Sequence, residues 1–402
     1  MVPKGWTKTT FGEHIDLLNG FAFKSALYSD DESDIKLLRG DNIEPNKLRW
    51  RNVKRWSKDN YESLEKYHLK VNDFIIAMDR TWITAGLKVA EVKQEDLPCL
   101  LVQRVSRIRS LPTLCQDLIK HHFSSYRFEQ YVKSVQTETA VPHISSTQIN
   151  EFNLLLPPLP EQQKIAKILS TWDKAISATE RLIDNSTQQK KALMQQLLTG
   201  KKRLLNDNGE RFEGEWKEAT LGKYVTIKSG VSPSKFKLES EGEIPYVKVE
   251  DMNNCSKYQI HSRNYADETK SVIFQGAVIF PKRGAAIMNN KVRIAASKLY
   301  LDSNMMALIP NKSINSEFLY YLLVKKQLFK IADTSTIPQI NNKHITPYAF
   351  KLPSLSEQQK IATVLTNADK EIELLEQQLA DLQQEKRALM QQLLTGKKRV
   401  VV

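Results

Sequence analysis

The 402-residue sequence predicts an α+β protein: two similar globular domains joined by two long helices that form an antiparallel coiled coil, with pseudo-two-fold symmetry. Three observations predict it. The segment Leu159–Arg203 returns as Leu355–Arg399 with 26 of 45 positions identical and one constant offset of 196 residues, far above chance for unrelated helices. Both copies carry an apolar seam at alternating steps of four and three. Ahead of each copy lies a segment of about 150 residues with mixed strand and helix patterning, an ordinary domain size. The resulting boundaries are 1–155, 156–204, 205–351 and 352–402.

The first globular segment holds short β-like runs such as Asp73–Ala77, followed by a loop with Arg80, and an amphipathic patch at Tyr126–Val135. Pro157-Pro158-Leu159-Pro160 then stops what precedes, and Pro160 suits a first helical position. The helix that follows places Ile165, Leu169, Trp172, Ile176, Thr179, Ile183, Ser186, Lys190, Leu193 and Leu197 on a 3.5-residue seam, the pattern of a coiled coil. Thr199-Gly200-Lys201-Lys202-Arg203 ends it with a glycine cap and basic residues at the negative end of the dipole.

The second globular segment repeats the plan with Gly276–Phe280, a loop with Arg283, and a helical patch at Ser316–Phe329. Trp6, Thr10, Gly12 and Gly20 match Trp216, Thr220, Gly222 and Gly230; Asp41 matches Asp251; Thr139–Ile144 matches Ser335–Ile340. Scaffold positions persist while loops diverge, which suggests one fold presenting two surfaces. After Pro353-Ser354 the second helix fills the same seam with Ile361, Leu365, Ala368, Ile372, Leu375, Leu379, Leu382, Lys386, Leu389 and Leu393. Each helix is about 40 residues, on the order of 60 Å. If the halves are related by a two-fold, the second helix leads back toward the chain's start and the domains sit at opposite ends of a spacer. Lys190 and Lys386 take matching seam slots. They either fix register as polar seam residues or snorkel from a loosely packed end.

A formal charge of +13 and a pI near 9.3 suit a polyanion, nucleic acid being the commonest, against the plainer alternative of a merely basic surface. Cys99, Cys115 and Cys255 are scattered with no CxxC, which argues against a zinc ribbon or disulfide framework and fits a reducing cytoplasm. The opening residues lack the apolar region of a signal peptide, and no apolar run suggests a membrane span.

Catalytic motifs are scarce. There is no P-loop, no glycine-rich cofactor fingerprint, and no Asn- or Asp-Pro-Pro-aromatic run of an amino-methyltransferase; the histidines lack metal spacing, and no metal site is expected. Asp73 with Glu91-Val-Lys93 traces a magnesium nuclease skeleton, but the Pro-Asp element is missing and chance explains it better.

A binding surface remains. Arg104, Arg107 and Arg109 crowd one run; on a strand, Arg107 and Arg109 share a face and Arg104 points to the other. Lys282, Arg283, Asn289, Asn290, Lys291 and Arg293 fill a turn-rich loop. Asn341, Asn342 and Lys343 lie beside Gln339, and His143 and Gln148 occupy the corresponding region of the first half. Arg80 and Thr81 match Arg283 and Gly284 in place. Arginine reads guanine and Asn or Gln reads adenine in the major groove, while lysine grips phosphate. Each residue alone reads more readily as a solvated surface group than as a base contact; the combined case is stronger than any member.

The paired Leu-Pro-x-Leu-x-Glu-Gln-x-x-Ile segments at Leu156–Ile165 and Leu352–Ile361, with the terminal Leu-Leu-Thr-Gly, resemble the specificity subunit of type I restriction–modification enzymes, and the order variable–repeat–variable–repeat covers the whole chain. The resemblance implies two target recognition domains, each reading half of a split, asymmetric double-stranded DNA sequence, and conserved helices that set the spacing and dock two modification subunits. Those partners would carry S-adenosylmethionine and methylate adenine at N6, and motor–nuclease restriction subunits using ATP and Mg would complete a cytoplasmic phage-defence complex. The chain itself would bind no cofactor and catalyse nothing. Two rivals make different demands: a self-contained nuclease using Asp73, Glu91 and Lys93, and a coiled-coil scaffold without a nucleic-acid role.

Overall fold

Short runs of β-branched and aromatic residues become strands where both faces can be covered. In the computed structural model, which describes residues 2–137, 139–267 and 272–402, the first half forms β1 (Thr7–Thr10), β2 (Ile15–Asn19), β3 (Ile35–Leu38), β4 (Phe74–Ala77), β5 (Val89–Glu91), β6 (Cys99–Leu101) and β7 (Val105–Ser110). Helices α1 (Gln116–Phe123), α2 (Tyr126–Val135) and α3 (Ser146–Asn150) follow, then β8 (Asn153–Leu156) and the 39-residue α4 (Leu159–Leu197). An antiparallel sheet runs β5-β4-β7-β2, β6 lies parallel to β3, and β8 returns to pair with β1.

The second half repeats this with β9 (Lys217–Thr220), β10 (Val225–Ser229), β11 (Ile244–Val247), β12 (Val278–Pro281), β13 (Arg293–Ala295), β14 (Tyr300–Leu301) and β15 (Met305–Pro310). Then come α5 (Ser316–Lys326), α6 (Asn342–Ile345), β16 (Ala349–Leu352) and α7 (Leu355–Leu393), again 39 residues. Its main sheet runs β10-β15-β12-β13 with Tyr258–Gln259 at the edge, and β11 lies parallel to β14.

Two compact units result: Met1–Glu180 with Gln377–Val402, and Arg181–Glu376. They cut across the boundaries expected from the repeat, because each unit needs turns from both long helices to close its core. In the first, Phe11 stacks on Phe123 at 4.7 Å, Phe123 meets Phe128 edge-on at 4.5 Å, and Phe128 meets Phe152 at 5.1 Å. Ile165 and Leu169 of α4 and Met390, Leu393 and Leu394 at the end of α7 seal that cluster. Each fully buried Phe contributes about 2–3 kcal/mol, before the extra of ring–ring geometry. The second unit uses Met194, Leu197, Ile361 and Leu365 in the same way around Phe318 and Leu319.

The helices run antiparallel within each unit. In the first, Glu161 near the start of α4 pairs with Arg399 beyond the end of α7, and Asp173 pairs with Lys386 at 2.5 Å. In the second, Arg203 pairs with Glu357 and Lys190 with Asp369. The two seam lysines are therefore ion-paired, each to an aspartate at the matching place. All the expected seam positions are buried or half-buried, while Leu182 and Leu374 off the seam are 51% and 71% exposed. Gly200 (φ +71) and Gly396 (φ +69) end the helices in the left-handed region.

Gly20 and Gly230 mark where backbone meets backbone. A Cβ at Gly20 would lie 2.2 Å from the Val102 carbonyl, and one at Gly230 would lie 1.9 Å from the Asp302 oxygen. Two details of the expected match shift. The helical patch begun at Ser316 stops at Lys326, because Gln327 takes φ 61 and a separate 3-10 turn, Leu328–Ile331, follows. The partner of Asp251 is Asn42 rather than Asp41: Asp251 accepts from Lys248 N at 2.8 Å as Asn42 accepts from Arg39 N at 3.1 Å. Among the described residues no helix is long and apolar enough to cross a membrane.

Candidate nucleic-acid interface

One end of the first unit's main sheet gathers polar loops. The chain leaves β4 through Met78, Asp79 and Arg80 and enters β7 through Arg104. The 139–145 loop crosses them. Met78 N donates to Arg104 O at 2.9 Å, Ile144 N to Met78 O at 2.9 Å, and Arg80 N to Pro142 O at 2.7 Å. Asp79 and His143 thus face each other across an antiparallel bridge, and Asp79 Oδ1 lies 2.6 Å from His143 Nδ1. Asp79 Oδ2 lies 3.8 Å from Arg104 Nε. Thr81 turns inward and donates to Ala77 O at 2.6 Å, fixing the turn. Arg80 (φ 47) and Arg104 (φ 69) are left-handed, a conformation that strains a residue with a Cβ, and both are exposed.

The second unit builds the same end. Lys282 N donates to Asn304 O at 2.8 Å, Ile340 N to Lys282 O at 2.8 Å, and Gly284 N to Pro338 O at 2.8 Å, with Arg283 bridged to Gln339. These bonds fix the equivalences: Met78 with Lys282, Asp79 with Arg283, Arg80 with Gly284, Arg104 with Asn304, His143 with Gln339. The sequence match of Arg80 with Arg283 and Thr81 with Gly284 is therefore one residue out of register. Strands offer no local marker of register when the loops on both sides differ in length.

The remaining candidates divide by what holds them. Arg283, Asn289, Asn342 and Lys343 are exposed, and Lys282 is half-buried, its ammonium pushed below its usual value by burial against the opposing pull of Asp302. Asn341 caps α6, and its backbone N–H donates to His344 Nδ1 at 3.0 Å. Lys291 is drawn to Asn253. Others work inside the fold. Arg107 is buried against Asp16, and burial lowers its pKa. Arg109 grips both Asp73 oxygens at 2.5 and 2.8 Å, a bond that raises its pKa. Those two arginines share a face of β7 as expected, but Arg104 precedes the strand rather than occupying its other face. Gln148 completes the Ser145 capping box of α3 and donates to Val135 O at 2.6 Å. Asn290 holds Val324 O and Leu328 N, and Arg293 holds the Met252 and Cys255 carbonyls at 2.9 Å.

Sequence reasoning missed Asp79 and Asn304. An acid read alone argues against a basic binding loop, and only the bridge to His143 brings Asp79 among these loops. Nothing local marked Asn304 before its equivalence with Arg104 was visible.

The sequence profile of the family described as "Type I restriction modification DNA specificity domain" matches residues 3–185 and 213–384. The chain is 33% identical over 182 residues to the Escherichia coli type I restriction enzyme EcoAI specificity subunit, a match covering 45% of this chain but only 30% of that one. It is 25% identical over 416 residues to the putative type I restriction enzyme MjaX specificity subunit of Methanocaldococcus jannaschii, covering 99% of this chain and 95% of that one. Its fold resembles the crystal structure of a type I restriction–modification S subunit from M. genitalium, with TM-score 0.59 and 16% identity over 98% of this chain and 96% of that one.

Proposed function

From the premise that the chain belongs to the type I restriction modification DNA specificity domain family, we propose that it reads a bipartite, asymmetric double-stranded DNA target for a type I restriction–modification complex, each unit reading one half. One observation carries this reading. The same backbone bonds build the same sheet end twice, yet the equivalent side chains differ: Asp79, Arg80, Arg104 and His143 in one unit, Arg283, Gly284, Asn304 and Gln339 in the other. A scaffold kept constant under a changed set of donors and acceptors suits two readers of different sequences. The chain acts without chemistry of its own. Two modification subunits bind S-adenosylmethionine and methylate adenine, flipping it from the stack, and restriction subunits supply ATP- and Mg-dependent cleavage. The rival nuclease site is weakened by Arg109, which occupies both oxygens of Asp73.

The test is a binding titration of the chain with its modification partner against randomised duplexes. A two-part target is expected, with affinity falling steeply as salt rises. Exchange of residues 205–351 for another reader should alter one half only. If both halves change, or if affinity ignores salt, the division of labour fails.

A further inference from the structure

Arg80 stands at a position whose backbone calls for glycine. The turn after β4 and the turn after β12 are locked by the same bond, to Pro142 O in one unit and Pro338 O in the other. The residue making that bond is left-handed in both: Gly284 at φ +86 and Arg80 at φ 47. Glycine takes this conformation freely, whereas any side chain is strained by it. Arg80 nonetheless carries the longest of side chains there, exposed, and no described residue bonds its guanidinium. Burial therefore does not explain its presence, and neither does an ion pair. The neighbouring acid is already engaged: Asp79 holds His143 at 2.6 Å and faces Arg104 at 3.8 Å. The turn itself is held by backbone and by the buried Thr81 hydroxyl, so the Arg80 side chain adds nothing to it.

Resting on the DNA-reading function above, we propose that Arg80 is a specificity-determining residue that selects one guanine in the half-site read by the first unit. A guanidinium fork matches guanine O6 and N7 in the major groove, and its planar donors suit that edge better than any other base. In the second unit the equivalent place is vacated by Gly284, and the guanidinium comes from Arg283, one residue earlier, on the strand-end position that Asp79 fills in the first. Arg283 thus leaves the common turn from the bridged position and Arg80 from the left-handed one that follows it. The two units therefore aim their arginines differently, which yields different half-sites from one scaffold.

The experiment compares wild type, Arg80→Gly and Arg80→Lys as full chains complexed with the modification partner, each selecting from a randomised duplex library. Arg80→Gly should melt no lower than wild type, since glycine relieves the turn. It should lose discrimination at a single guanine in one half by roughly ten- to a hundredfold, the span of one bidentate base contact. The other half should stay unchanged. Arg80→Lys should keep the charge but not the discrimination. Unaltered base preference with a uniform drop in affinity and a smaller salt slope would make Arg80 a phosphate contact and overturn the assignment. A lower melting temperature for Arg80→Gly would make it structural and overturn it too. A wild-type complex that selects no sequence at all would instead sink the DNA-reading function itself.

Discussion

Glu161 and Arg399, 238 residues apart, close a two-pronged ion pair at 2.7 and 2.8 Å, while Trp6 Nε1 donates to the same carboxylate at 3.0 Å. Arg203, Glu357 and Trp216 repeat the arrangement in the second unit. Glu161 is 3% exposed. Burial by itself would raise its pKa, but the bonds from Arg399 and Trp6 and the arginine's charge together hold it below the usual carboxylate range. Arg399→Met leaves a buried carboxylate without its cation and should lower stability at pH 7 more than loss of the carboxylate charge does. Glu161→Gln keeps a partner for Trp6 and should cost less, about 1–2 kcal/mol. Because the folded pKa is depressed, the contribution is present above the ordinary carboxylate value near 4.3 and is lost as pH falls through the folded one. Urea unfolding at neutral and acid pH checks this: the gap between wild type and Glu161→Gln should narrow in acid, and a gap independent of pH contradicts it.

Asp173 should tolerate losing either of its cations but not both. Lys386 Nζ lies 2.5 Å from it and Lys120 Nζ 3.8 Å. Lys386→Ala alone leaves Lys120 to neutralise it and should cost about 1 kcal/mol or less. The Lys120→Ala/Lys386→Ala pair should cost more than the two single changes added, because the carboxylate is then stranded beside the apolar seam. A double-mutant cycle by denaturant unfolding measures the excess. Simple additivity would mean the lysines act independently.

Gly20→Ala should be severe. Its new methyl would meet the backbone carbonyl of Val102, which cannot rotate away, so the strand connection must shift at a cost of about 3 kcal/mol or more. Gly5→Ala supplies the control: φ is +80 there, but nothing lies within 4 Å, so only backbone strain of about 1 kcal/mol is expected. Comparable melting temperatures for the two variants would refute the close-approach reading.

The long helices were legible because their signal is local and repeated. A 3.5-residue seam, proline entry and glycine exit can be read without knowing any partner, and the duplication confirmed each in the other. The glycines that pin backbone to backbone were legible as matched positions, though not as contacts. The binding loops were not. Arg107, Arg109 and Arg293 looked like a basic face, but each is spent on an acid or a carbonyl brought from elsewhere in its unit: Asp16, Asp73, Met252. Charge alone does not show whether a distant carboxylate has claimed it. Arg80 and Arg283 are both exposed but are not equivalent, because the loops beside β4 and β12 differ in length and only the bonds to Pro142 and Pro338 fix register.

His122 ties the first unit's stability to pH between neutrality and mild acid. The ring is buried edge-on to Phe11 at 5.5 Å, and its Nε2 has no bonding partner among the described residues. Burial, with the charge of Arg127 adding to it, pushes its pKa down to about 3. The unfolded chain takes up a proton near pH 6.5 that the folded unit refuses, so unfolding gains protons and stability falls as pH drops below that value. The loss approaches about 1.4 kcal/mol per pH unit for this one ring until the folded value is reached. His121 behind it is also lowered, by burial first and then by Lys386 and Lys120, and adds to the same slope. Phenylalanine has nearly the same shape and no proton to accept, so His122→Phe should flatten the dependence while leaving the aromatic cluster intact. Urea midpoints between pH 7.5 and 5 should diverge, the variant gaining on wild type with each step into acid. Parallel curves would mean the ring is hydrated and titrates in the folded unit.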